Sequence, residues 1–145
     1  MHSQSPKISI VLPAKNEAGS LAPLVSQLRA YVPGAEILLI DDGSADDPRH
    51  MALDLGVGII THPYSLGNGA AIKAGARAAS GEILVFMDAD GQHNPADIPR
   101  LLAKFEEGYS MVVGARSPSS QASRGRALAN GLYNRLASLI TGHTI

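Results

Sequence analysis

Asp88 and Asp90 stand one residue apart at the end of the apolar run Ile83-Leu84-Val85-Phe86, and Gly91-Gln92-His93 follows them. Two carboxylates that close repel each other and are costly without a compensating cation. Their hard oxygens suit Mg²⁺ or Mn²⁺, above all where phosphate oxygens complete the coordination shell. Asp is also a common turn residue at strand ends, so the pair has an ordinary structural explanation too. A second acidic cluster, Asp41-Asp42-Gly43-Ser44, follows another apolar run. It fits a turn and helix cap, and equally an Asp placed to accept a hydrogen bond from a nucleobase. Gly67-Asn68-Gly69 opens a helical pattern as a phosphate-binding loop can. However, Ile72 stands where a dinucleotide fingerprint needs a third Gly or Ala, and no Walker A sequence is present. Tight packing of Ala70, Ala71 and Ala74 on a sheet explains these glycines better. Lys73, one turn into the helix, is within reach of a phosphate or equally well solvated.

The elements that must position these clusters alternate in kind. Ile8 to Leu12 reads as a strand ended by Pro13, and Leu21, Leu24, Val25 and Leu28 recur at helical spacing after a cap at Asn16 or Ser20. Pro33-Gly34 stops that helix, and Glu36 to Ile40 is a second buried strand. A helix over about Pro48 to Leu55, a short strand from Val57 to Thr61 and an Ala-rich helix from Gly67 to Ser80 follow. Ile83 to Phe86 reads as a strand buried on both faces, Pro95 to Glu107 as helical and Met111-Val112-Val113 as a further strand. A last helix from Arg126 to Ile140 puts Leu128, Leu132, Leu136, Leu139 and Ile140 on one stripe. Strands alternating with helices predict one α/β domain over residues 1–145: a Rossmann-like, mostly parallel sheet with helices on both faces. Ligands of such sheets bind at the carboxyl ends of the strands. The clusters at Pro13–Glu17, Asp41–Ser44, Asp88–Gln92 and Gly114–Arg116 all fall there.

Composition narrows the functions available. A formal net charge of -1, with two Phe and four Tyr, argues against a nucleic-acid binder. The charge is uneven, however. Glu107 is the last acid, and Arg116, Arg124, Arg126 and Arg135 follow it unbalanced, which suits a phosphate-bearing or membrane-surface partner. There is no cysteine, and no two of the five His are spaced for a helical zinc site. No Ser-His-Asp or Gly-x-Ser-x-Gly arrangement is visible, and Met87 and Met111 are expected in the core. Met1 to Pro6 has neither a basic nor an apolar signal region, and no apolar stretch approaches the ~20 residues that span a bilayer. The expectation is a cytoplasmic protein able to touch the membrane face.

Taken together, Val11-Leu12-Pro13-Ala14-Lys15-Asn16-Glu17, Asp41-Asp42-Gly43-Ser44, Gly67-Asn68-Gly69-Ala70-Ala71, Asp88-Ala89-Asp90-Gly91-Gln92-His93 and Val113-Gly114-Ala115-Arg116 resemble the family 2 glycosyltransferases. Within that family they are most similar to polyprenyl-phosphate sugar synthases of the dolichyl-phosphate mannose synthase type. The resemblance implies a glycosyltransferase A fold. It also implies nucleotide binding by Pro13, Ala14, Glu17, Asp41 or Asp42, Asp88 and Ala89, to which Lys73 is added from its place one turn into the helix. Asp88, Asp90 and Gln92 would hold Mg²⁺ or Mn²⁺ against the diphosphate, making Asp90, with Arg116, a catalytic candidate. Arg116, Arg126 and Asn130 would receive the acceptor's phosphate. Ala14 departs from the aromatic residue that many relatives carry there, which argues against stacking on the base.

The implied reaction is metal-dependent, inverting transfer of a hexose from a donor such as GDP-mannose or UDP-glucose to a polyprenyl phosphate. Relatives continue beyond the Gly142 region, so the resemblance implies a C-terminally truncated chain with an incomplete acceptor part. The rival readings are a saccharide or protein acceptor, a nucleotide-binding module without transfer activity and, more weakly, a nucleotidyltransferase.

Overall fold

The computed structural model describes residues 6–114. Residues up to Gly108 belong to one compact unit, and Tyr109 begins a second, of which Tyr109 to Gly114 is described. The first unit runs β1 (Ile8–Ala14), α1 (Ala18–Tyr31), β2 (Glu36–Asp41), α2 (Arg49–Asp54), β3 (Gly58–Thr61), α3 (Asn68–Ala78) and β4 (Ile83–Phe86). A 3₁₀ turn (Pro95–Asp97) then leads into α4 (Ile98–Glu106). The strands form one parallel sheet in the order β3-β2-β1-β4, the predicted α/β arrangement.

Alternation along the two central strands sorts the core onto both faces of this sheet. Ile10, Leu12, Ile37 and Leu39 face α1 and α2 with Leu21, Val25, Leu28 and Ala52, and Ile98 at the start of α4 joins them. Val11, Leu38 and Ile40 face the other way, against Ala71 and Ala74 of α3. Gly75 lets α3 settle on the sheet, because a Cβ there would collide with the Val11 side chain and stand 3.2 Å from Ile40.

Three predicted features differ. β1 continues through Pro13 to Ala14. The ladder between β1 and β4 ends at Val11–Phe86, and the Pro13 carbonyl points to that same side. The N–H that Pro13 lacks therefore falls where no strand partner remains. β4 is an edge strand of the described sheet, so its residues are only half-buried and Phe86 is 43% exposed rather than covered on both faces. Met111-Val112-Val113 forms no strand among the described residues, and Met111, expected in the core, is 76% exposed. Met87, by contrast, is buried as expected. The predicted helix from Arg126, with its leucine stripe, lies outside the described residues.

Candidate nucleotide and metal site

The carboxyl ends of β1, β2 and β4 open onto a cleft of about 350 Å³. Pro13 and Ala14 line it from the end of β1, Lys15 and Glu17 from the loop after it, Asp42 from just beyond β2, and Asp88, Ala89 and Asp90 from the segment after β4. Ser65, Gly67, Asn68 and Ala71 close it from the start of α3. Seven of the residues predicted from the sequence thus meet in one place: Pro13, Ala14, Glu17, Asp42, Asp88, Ala89 and Asp90. Asp41, Lys73 and Gln92 are not among the lining residues, and Arg116, Arg126 and Asn130 lie outside the described ones. Lys15, Ser65 and Asn68 are additions. Lys15 and Asn68 sit inside motifs visible in the sequence, whereas nothing in the sequence marks Ser65.

Asp41 and Asp42 adopt different roles although both are buried. Asp41 Oδ1 accepts from the Ser44 N–H at 2.9 Å, forming a local turn, and Asp41 does not line the cleft. Asp42 reaches across to the β3–α3 connection. Its Oδ1 accepts from the Leu66 N–H and lies 2.8 Å from His62 Nδ1. Its Oδ2 accepts from the Ser65 hydroxyl at 2.7 Å and the Gly67 N–H at 2.9 Å. Four contacts occupy the usual capacity of a carboxylate. Burial pushes this carboxyl up, but the hydrogen bonds from His62, Ser65, Leu66 and Gly67 outweigh it and hold the group well below the usual carboxylate range. Asp42 therefore organises the α3 side of the cleft as an anion whatever it contributes to a ligand. Gly43 assists this approach, with a φ of +71° and only 2.8 Å between a would-be Cβ and the backbone nitrogen of Ser65.

The β1 and β2 loops are laced together. The Asn16 N–H donates to Ser44 Oγ, the Ala45 N–H to Asn16 Oδ1 and the Ala18 N–H to Asp46 Oδ2. Asn16 holds a left-handed φ of 58°, so the chain turns sharply before α1 and Glu17 faces the cleft. The predicted side-chain cap is absent: Glu17 holds the cap position without a side-chain hydrogen bond.

Asp88 and Asp90 flank Ala89, which is 1% exposed. The Ala89 N–H donates to the Pro13 carbonyl at 3.3 Å, and its carbonyl accepts from the Ser20 hydroxyl at 2.6 Å. Asp90 Oδ1 accepts from the Gln92 N–H at 2.9 Å. Farther on, Asn94 caps the 3₁₀ turn and Pro95 is buried, which ties the loop to the core on both sides. Among the described residues no three His, Cys, Asp or Glu side chains are grouped to hold a metal. Asp88 and Asp90 offer hard oxygens of the kind a divalent ion takes together with water and phosphate. The lining charges agree, since four carboxylates (Glu17, Asp42, Asp88 and Asp90) face one Lys15. A diphosphate entering such a cleft needs a cation beside it.

The sequence matches the model of glycosyl transferase family 2 over residues 9–143. The chain belongs to this family. Its fold is the α/β glycosyltransferase A type, and solved structures resemble it. Glucosyl-3-phosphoglycerate synthase from Mycobacterium tuberculosis, in complex with phosphoglyceric acid, matches with a TM-score of 0.61 and 30% identity over 72% of this chain. The same synthase with Mn²⁺, UDP and glucosyl-3-phosphoglycerate matches with a TM-score of 0.59 and 28% identity over 70% of this chain. A mannosyltransferase from Pyrobaculum calidifontis in complex with GDP-Man and Mn²⁺ shares the fold, with a TM-score of 0.55 and 20% identity over 61% of this chain. The matched part spans 41% and 40% of the two synthase chains and 28% of the mannosyltransferase.

Proposed function

We propose that this family 2 member is a metal-dependent hexosyltransferase, taking its sugar from a nucleoside diphosphate and passing it to a phosphate-bearing acceptor. The observation that carries this reading is the cleft itself, which Asp88 and Asp90 line together with Pro13, Ala14 and Glu17 in an acidic setting. In this reading the β1 loop holds the base and ribose, Asp42 keeps the α3 side in place, and Lys15 meets a phosphate. Asp88 and Asp90 hold Mg²⁺ or Mn²⁺, with Gln92 at the rim. When bound, the ion neutralises charge that builds on the departing nucleoside diphosphate. Complexes of similar structures with Mn²⁺ and UDP or GDP-Man support both the metal and the donor class.

The acceptor we propose is a polyprenyl phosphate, received by Arg116, Arg126 and Asn130 in a basic, leucine-striped segment that can meet a membrane surface. A phosphate oxygen attacks the anomeric carbon from the face opposite the diphosphate. The bond to the diphosphate breaks, and its electron pair leaves with the nucleotide. Because the acceptor oxygen is already anionic, no strong general base is needed, and the anomeric configuration inverts. No helix among the described residues is long and apolar enough to cross a membrane. A second reading, transfer to a soluble phosphoglycerate, is favoured by the complexes of the synthase at 28–30% identity. A hydroxyl acceptor would have to lose a proton, so that reading needs a base.

The test is transfer from labelled GDP-mannose and UDP-glucose, with Mn²⁺, to a polyprenyl phosphate in vesicles or to 3-phosphoglycerate in solution. Label in the lipid phase supports the first reading, and label in the phosphoglycerate supports the second. Metal-dependent nucleotide binding without transfer to either acceptor would favour a binding module.

A further inference from the structure

Ser20 lies in the first turn of α1, three residues beyond the Val11–Glu17 motif, and its hydroxyl reaches the loop between the two site carboxylates. Oγ is 2.6 Å from the Ala89 carbonyl and 2.8 Å from the carbonyl of Glu17. The Glu17 carbonyl also accepts the Ser20 backbone N–H at 3.0 Å, so it is served without the hydroxyl. The Ala89 carbonyl belongs to a residue 1% exposed to solvent, and Ser20 is the donor it meets there. Leaving such a carbonyl unpaired is costly.

The placement gives the bond a consequence. A strand ladder would hold every second residue, but β4 ends at Phe86, and the two acids lie beyond it. Ala89 is then held by two bonds from different elements: its N–H to Pro13 at the end of β1 and its carbonyl to Ser20 on α1. These fix the peptide groups on either side of Ala89, and hence the directions in which Asp88 and Asp90 leave the backbone. α1 is itself anchored by Leu21, Leu24, Val25 and Leu28, all buried, so Ser20 refers the loop to the core.

We propose that Ser20 is a positioning residue for the Asp88–Asp90 pair, pre-setting the separation and aim of the two carboxylates before any ion binds. This inference rests on the metal-site reading given above. Ser20→Ala removes only the hydroxyl, on a helix where Ala is well tolerated. Ser20→Thr keeps the hydroxyl and serves as the rescue variant.

Two readouts separate this role from general stability. In amide hydrogen exchange of the full chain without metal, Ser20→Ala should speed exchange at Ala89, bonded to Pro13, and at Gln92, bonded to Asp90. An acceleration of about tenfold corresponds to one net hydrogen bond, while Leu39 in the central sheet should stay unchanged. In titrations with UDP and GDP, the Mn²⁺-dependent part of the affinity should fall by about tenfold, with affinity in EDTA unaltered. Thr should restore both. Wild-type exchange at Ala89 and Gln92 in Ser20→Ala would overturn the proposal, as would equal losses of affinity with Mn²⁺ and with EDTA. If Mn²⁺ adds nothing to nucleotide binding by the unaltered chain, the metal reading fails instead, and the exchange data alone decide whether Ser20 sets the loop.

Discussion

Replacing Asp42 with Asn tests the electrostatic account of the cleft with almost no change in shape. The carboxylate serves four groups, two on each oxygen: His62 Nδ1 and the Leu66 N–H on one, the Ser65 hydroxyl and the Gly67 N–H on the other. An Asn side chain keeps one acceptor oxygen and turns the other position into a donor. The Ser65 hydroxyl can rotate and His62 can change tautomer, but a backbone N–H can do neither. Whichever way the amide is turned, the N–H of Leu66 or of Gly67 faces another donor. One buried unpaired donor costs about 1–3 kcal/mol, and weakening of the remaining charge-assisted bonds brings the expected loss to about 2–4 kcal/mol. For a chain of this size that lowers the melting temperature by about 6–15 °C. Circular dichroism melts of Asp42→Asn against the parent chain measure it.

The pH dependence fixes the sign. Asp42 titrates well below the ordinary range when folded and near ~3.9 when unfolded. Its contribution is therefore complete above about pH 5 and fades as acid drives the pH down through the unfolded value toward the folded one. The gap between parent and variant should narrow below about pH 4. A variant that melts within about 1 °C of the parent at neutral pH, or a gap that widens in acid, would refute the reasoning.

Asp90→Ala and Asp88→Ala should each abolish the Mn²⁺-dependent increment in UDP or GDP affinity and leave the melting temperature close to that of the parent; unchanged affinity by calorimetry would remove the metal assignment. Gly75→Ala should destabilise by about 1–3 kcal/mol, read by urea denaturation, because the new methyl meets Val11 and Ile40 under α3. Gly43→Ala combines a left-handed φ of +71° with backbone atoms of Tyr64 and Ser65 within 2.9 Å. It should therefore cost at least about 1–2 kcal/mol and weaken nucleotide binding as well, since the atoms that must move adjoin Asp42. Equal nucleotide affinity in Gly43→Ala, measured on the folded fraction, would disconnect that loop from the site.

What the sequence disclosed follows from how local each signal is. β1 and β2 were legible because runs such as Ile8–Leu12 and Glu36–Ile40 sit at the centre of the sheet, where both faces are covered. The run Ile83–Phe86 looks the same but lies at an edge of the sheet among the described residues, and strand order is not written in a single segment. Met111-Val112-Val113 carried the same composition without a ladder partner among the described residues. The site was legible to the extent that chemistry gathers at strand ends, which brought Pro13, Ala14, Glu17, Asp42, Asp88, Ala89 and Asp90 to one cleft. The separation of Asp41 from Asp42 was not legible, because Asp41 ends β2 and Asp42 follows it, and only the fold says which of the two reaches the cleft. His62, Ser65 and Ser20 were also missed: each acts through a tertiary hydrogen bond to a residue 20 or more positions away. Lys73, read as within reach of a phosphate or equally well solvated, is exposed and does not line the cleft, to which the start of α3 offers Gly67, Asn68 and Ala71.

The central claim is that Asp88 and Asp90 bind a nucleoside diphosphate through a divalent ion. The most direct measurement is the thermal stability of the full chain with UDP, GDP, UDP-glucose or GDP-mannose, each in Mn²⁺, Mg²⁺ or EDTA. At about 100 times its dissociation constant a ligand adds about 2.7 kcal/mol, a rise of about 5–10 °C in a domain of this size. The account predicts such a rise with one base, present with Mn²⁺ or Mg²⁺, lost in EDTA and absent in Asp90→Ala. A cooperative melt that no nucleotide shifts, or a shift that EDTA leaves intact, would contradict it.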